Sequence, residues 1–154
     1  MNKLVLGAVA FFLCAGQSAA DDAITLRCEV TSKKKTSYAL EEVGKATLGV
    51  NVVSSGQVLR RITVFDKENK LAVLDATSSA KIKGHASINS SDSQRWTLYN
   101  TWAVAYGDPE STRISIDRTS GDIMFEKKIH TGSDWESYEY FGNCNKVGGN
   151  NTKF

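Results

Sequence analysis

Apolar residues recur along most of this chain with a period of two, not 3.6, which is the signature of strands with one buried face. Ile24, Leu26, Cys28 and Val30 alternate with Thr25, Arg27 and Glu29, and the alternation points Cys28 inward. Val50, Val52 and Val53 form a β-branched run that Ser54-Ser55-Gly56 interrupts. Val58, Arg60, Ile62 and Val64 then alternate as far as Asp66-Lys67-Glu68-Asn69, and Leu71 and Val73 return, so a hairpin is expected between about Leu59 and Leu74. The stretch with Ile82, His85 and Ile88 is irregular, and Asn89-Ser90-Ser91-Asp92-Ser93 is a polar loop. Trp96, Leu98, Asn100, Trp102, Val104 and Tyr106 share one parity of a long strand, after which Pro109 sits in a turn. Ile114 and Ile116 enter another strand, Asp117 to Asp122 reads as a hairpin turn with Gly121 available for positive φ, and Ile123 and Phe125 mark the return. The last strand runs from about Trp135 to Val147, with Tyr138, Tyr140 and Cys144 on one parity. One short helical turn around Tyr38 to Glu42 is the sole departure. About eight short strands between frequent turns predict an all-β fold, a small antiparallel barrel or a sandwich.

The N-terminus has a different pattern. Lys3 precedes an apolar stretch from Leu4 to Cys14, and Ser18-Ala19-Ala20 offers the small residues that a signal peptidase requires. Residues 1–20 are therefore expected to be a cleaved signal peptide, residues 21–147 one β domain, and residues 148–154, Gly- and Asn-rich, a flexible tail. The alternative use of Cys14, acylation as a lipoprotein, is met by a bulky Leu13 where a small residue is expected. No later stretch approaches the roughly 18 to 20 apolar residues of a spanning helix. Export leaves two cysteines, Cys28 and Cys144, and an oxidising compartment predicts that they form a disulfide tying the first strand to the last.

Composition narrows the function by exclusion. The chain has 19 basic and 17 acidic residues, one of them Lys3 in the leader, so the remainder is close to neutral and implies no attraction to nucleic acid. The cationic run Lys33-Lys34-Lys35 is expected as a solvated turn after the first strand. His85 and His130 have no ligand-spaced partners, no nucleotide-binding or nucleophile-elbow motif is present, and no cofactor or metal is implied. Asp134, Glu136 and Glu139 lie beside Trp135, Tyr138 and Tyr140, a mixture that in a sugar-cleaving enzyme would pair acids with stacking rings. Strand parity places Glu136 opposite to Glu139, and no enzyme is expected. The aromatic residues are core anchors, or, for Tyr99 and Trp135, an exposed binding surface.

The run Ile114-Ser115-Ile116-Asp117-Arg118-Thr119-Ser120-Gly121, followed by Gly142-Asn143-Cys144, resembles small exported proteins of Gram-negative bacteria that carry an I-x-I-x-R-x-S/T-G hairpin before a terminal G-x-C. Their function is mostly unassigned, and the resemblance implies compartment and a stapled β fold. The design is also similar in kind to periplasmic lysozyme inhibitors, whose inhibitory loops carry a Ser-Gly motif; Ser55-Gly56 and Ser120-Gly121 are the candidates here. The expected function is a non-enzymatic periplasmic or secreted binding protein, in its sharpest form an inhibitor or immunity-type protein acting on a cell-wall-degrading enzyme. Its partner would be another protein, and the candidate contact residues are Ser55, Gly56, Asp92, Arg95, Arg118, Ser120 and Gly121. The alternatives are a lipocalin-like carrier of a small apolar ligand and, third, an enzyme acting on carbohydrate.

Overall fold

Alternating apolar positions need a closed surface to be buried against, and the chain supplies one by rolling a single meander onto itself. The computed structural model describes residues 21–39, 41–67, 69–76, 85–102 and 110–148. Nine strands follow in order: β1 (Asp21–Thr36), β2 (Glu42–Ser55), β3 (Val58–Asp66), β4 (Asn69–Asp75), β5 (His85–Asn89), β6 (Arg95–Trp102), β7 (Glu110–Asp117), β8 (Asp122–Thr131) and β9 (Asp134–Lys146). They form one sheet in the order β4-β3-β2-β1-β9-β8-β7-β6-β5. Each bonded pair is antiparallel, and every pair except β1–β9 joins strands consecutive in sequence.

The result is a nearly closed barrel, so the barrel is selected over the sandwich. An odd number of strands cannot close with antiparallel neighbours throughout: eight antiparallel steps leave β4 and β5 pointing the same way across the seam. The seam is held without a regular ladder. Ser87 Oγ on β5 donates to the Asp75 carbonyl at 2.7 Å, and Lys127 Nζ on β8 reaches the Leu71 carbonyl on β4 at 2.9 Å. The expected leader, residues 1–20, and most of the expected tail, residues 149–154, lie outside the described residues.

Three details depart from the sequence pattern for local reasons. A bulge between Val53 and Ser54 shifts the β2–β3 register, so the first residue of β3 to enter the core is Leu59, 2% exposed, while Val58 is 54% exposed. A second irregularity between Val64 and Phe65 does the same for β4: Leu74 is buried and Val73 faces out. The helical turn expected near Tyr38 is a bend over Ser37–Ala39, because Ser37 is tied across to β9 by its N–H to the Trp135 carbonyl at 3.1 Å. β5, drawn from the irregular stretch around His85, brings the strands to nine.

The core is a belt of apolar side chains from all sides of the barrel, among them Leu26, Leu48, Val50, Ile62, Leu74, Trp96, Leu98, Ile114 and Phe125. Cys28 and Cys144 stand directly opposite in the β1–β9 register and form the disulfide, 116 residues apart in sequence. Two residues along, Gly142 faces Val30. A Cβ at Gly142 would lie 2.0 Å from the Glu29 carbonyl oxygen and 2.7 Å from Val30 Cα, so only glycine lets β1 and β9 approach this closely beside the bridge.

Two outcomes follow. The variant Cys28→Ala/Cys144→Ala is expected to lose about 4 kcal/mol of unfolding free energy relative to the oxidised protein, the loop-entropy value for a closure of this length, measured by urea unfolding. Gly142→Ala is expected to lose roughly 1–3 kcal/mol, because the steric partner is backbone and cannot rotate away; an unchanged midpoint would contradict the close approach.

Candidate functional site

Antiparallel alternation sends the β2–β3, β5–β6 and β7–β8 turns to one end of the barrel, here the near end, together with the start of β1 and the close of β9. All seven contact residues expected from sequence stand at this end. The β5–β6 and β7–β8 turns are built by short polar side chains that satisfy the backbone locally. Asp92 Oδ1 accepts the Gln94 and Arg95 N–H groups, both at 2.8 Å, and Asp117 Oδ1 accepts the Thr119 and Ser120 N–H groups, both at 2.9 Å. Gly56 and Gly121 take φ values of 59° and 80° that favour glycine.

The β5–β6 and β7–β8 turns are bonded to each other as well as to themselves. The Arg118 N–H donates to the Gln94 carbonyl at 2.7 Å, its Nη1 donates to the Ser93 carbonyl at 3.0 Å, and Arg95 Nη2 pairs with Asp117 at 3.3 Å. The Arg118 guanidinium lies 4.8 Å over the buried Trp96 ring, closing the core at this end. Asn143 Nδ2 fastens the β7–β8 turn to β9 through the Ser120 carbonyl at 2.8 Å. The third turn joins across a cleft of ≈ 330 Å³ shared by Ser54, Gly56, Gln57, Trp96 and Arg118. A second, open cleft of ≈ 520 Å³ lies on the outer wall beside Asp92, Arg95, Arg113, Asp117 and Asp122. The arrangement is a fixed polar platform that alternates carboxylates and guanidinium groups.

The opposite, far end carries residues that sequence reasoning passed over. Lys33-Lys34-Lys35 is not a turn: β1 continues to Thr36, because β2 and β9 pair with it along its length. Lys33 and Lys35 face out and both pair with Glu41, at 3.4 and 3.3 Å. Lys34 has the inward parity. Register places Lys34, Tyr138, Lys127, Thr112, Asn100 and Ser87 on one rung across six strands, next to the rung that holds Tyr140, Phe125, Ile114 and Leu98. The interior thus changes from apolar to polar in one step. Ser87 Oγ meets the Asn100 side-chain amide at 2.9 Å, Lys34 Nζ lies 5.3 Å over the Tyr138 ring and 3.5 Å from Glu136, and the Tyr138 hydroxyl donates to Glu136. The Tyr138 hydroxyl, and then Lys34, hold the Glu136 carboxyl below the usual range, and the hydrogen bond to Glu136 pushes the Tyr138 phenol up. The sequence signal was available: Lys127 extends the inward series Ile123, Phe125, and Lys34 extends Leu26, Cys28, Val30.

The carboxylates that suggested sugar cleavage are separated. Glu136 belongs to this interior rung system, whereas Glu139 faces out and meets Lys35 at 3.7 Å. Of the aromatic group, Trp96 and Tyr140 are buried, Tyr99 and Tyr138 are half-buried, and Trp135 is 38% exposed at the far end; the Trp102 side chain and Tyr106 lie outside the described residues. Among the described residues no three His, Cys, Asp or Glu side chains gather as a metal site would need, and no helix is long and apolar enough to cross a membrane.

Fold and site together define a disulfide-stapled, nearly closed antiparallel barrel with a hydrogen-bonded polar platform at one end and a charged interior at the other. No protein-family model matches the chain, and no curated protein matches it at a significant level.

Acid will probe the platform. The Ser120 and Thr119 N–H groups, and then Arg95, hold the Asp117 carboxyl below its ordinary value of 3.8. A depressed folded value means that the ionised form stabilises the fold: the contribution is complete above the unfolded value and is lost as pH falls through the folded one. The urea midpoint of the native chain should therefore fall as pH drops below about 4, and that of Asp117→Asn, which keeps the acceptor oxygen, should fall less over the same range.

Proposed function

We propose that this chain is an exported, non-enzymatic binding protein that engages another protein through the near end of the barrel, as an inhibitor or immunity-type factor for a cell-wall-degrading enzyme. The observation that carries the reading is the interlocking of the β5–β6 and β7–β8 turns into one platform built around Arg118, Asp117 and Arg95, with the β2–β3 turn beside it across a shared cleft. A partner meets preformed charges there, so little ordering entropy opposes association. Both Ser-Gly candidates, Ser55-Gly56 and Ser120-Gly121, stand at this end, which is where an inhibitory loop has to be. The disulfide suits an oxidising compartment.

A carrier for a purely apolar ligand has less to stand on. The barrel's belt is filled by its own side chains, and the interior beyond that belt is lined by Lys34, Lys127 and Tyr138, which an apolar ligand would strip of water.

The test is inhibition of a panel of lysozymes and bacterial wall hydrolases by the oxidised protein. Stoichiometric inhibition of one member is expected, and Asp92→Ala/Arg95→Ala/Arg118→Ala should weaken it on the order of tenfold or more, as loss of central charged contacts does. An inert protein at large molar excess across the panel would end the inhibitor reading.

A further inference from the structure

The far end holds a second site. At the polar rung, a cavity of ≈ 310 Å³ opens between Asp66, Leu71, Phe125, Lys127, Tyr138 and Tyr140, at the low end of the about 300 to 1,000 Å³ typical of ligand pockets. Its floor is apolar and aromatic: Phe125 and Tyr140 stack with centroids 5.5 Å apart, and Leu71 and Ile129 flank them. Its walls are charged. Lys127 on β8 and Asp66 on β3 line the same space from opposite sides of the barrel, yet among the described residues neither belongs to an ion pair. Lys127 donates one hydrogen bond, to the Leu71 carbonyl, and an ammonium has three donors. By contrast, Lys34, on the same rung as Lys127, pairs with Glu136 one rung along.

A cavity with an apolar floor, one unpaired cation and one unpaired anion is complementary to a molecule with the same three features reversed. A plain fatty or aromatic acid would satisfy Lys127 but meet Asp66 with like charge, and a plain amine would do the opposite. The geometry points to a small zwitterion with an apolar side chain as the occupant, the chemistry of a free aromatic or branched aliphatic α-amino acid. We infer that Lys127 receives its carboxylate, Asp66 its ammonium, and Phe125, Tyr140 and Leu71 its side chain. This site stands at the other end of the barrel from the protein-binding platform and does not depend on it.

Calorimetric titration of the oxidised protein with L-phenylalanine, L-leucine, 3-phenylpropionate and 2-phenylethylamine tests the inference without any substitution. Saturable binding of at least one of the two amino acids is expected, with the analogues that lack the ammonium or the carboxylate weaker on the order of tenfold or more. Lys127→Met and Asp66→Asn, each checked for an intact circular dichroism spectrum, should each weaken the amino acid by a similar factor. Equal or tighter binding of either truncated analogue, no saturable binding of both amino acids up to about 10 mM, or folded variants that bind like the parent would overturn it.

Discussion

The pairing of β1 with β9 is the constraint on which the rest of this structure depends. Every other ladder joins strands that follow each other in sequence, so each can form as a local hairpin at small cost in loop entropy. β1–β9 must bring together the two ends of the folded chain. Three features concentrate on that one junction: the Cys28–Cys144 bridge, the Gly142 position where only a missing Cβ allows the approach, and β1 itself, which pairs with β2 from Asp21 to Lys34 and with β9 from Leu26 to Thr36. Without this junction the described ladders would fall into two open sheets, β1–β4 and β5–β9, each with an apolar face in water.

Closure also organises the two ends. Because the turns alternate, the near end collects those rich in Asp, Ser and Gly, whose side chains bond their own backbone and then each other; the platform's rigidity is a consequence of local turn chemistry summed across two hairpins. At the far end the same inward parity that builds the core runs on past it, and the chain places Lys34, Lys127, Asn100, Thr112 and Ser87 where apolar residues would have extended the belt. A filled barrel needs no such rung. Partial pairing within it, Lys34 with Glu136 and Ser87 with Asn100, leaves Lys127 and Asp66 as the charges that still face open volume.

Much of this was legible in the sequence, and the misses share a cause. Period-two patterning gave the all-β class, the inward cysteines, the hairpin around Asp66 and the opposite faces of Glu136 and Glu139, since each depends on alternation alone. Bulges at Val53/Ser54 and Val64/Phe65 insert a residue without a composition mark, so alternation points Val58 and Val73 inward, whereas Leu59 and Leu74 are the buried residues. β5 is short and polar, held at one side by β6 and at the other by the seam, so its pattern is weak. The lysine run looked like a turn because charge was taken as exposure; in a barrel, inward parity beyond the core can be polar, and only the register across strands reveals that Lys34, Tyr138 and Lys127 meet. The platform residues were legible one turn at a time, but not the fact that three turns share an end.

One stapled closure holds the near-end turns as rigidly as the strands that carry them. Amide hydrogen exchange of the oxidised protein, read residue by residue, tests it most directly. The N–H groups of Asp92, Arg118, Gly121 and Cys144, each donated to a backbone carbonyl at 2.7 or 2.8 Å, are predicted to show protection close to that of the β1–β9 ladder. Exchange of these amides at the rate of an unstructured chain, beside a protected ladder, would contradict the preformed platform.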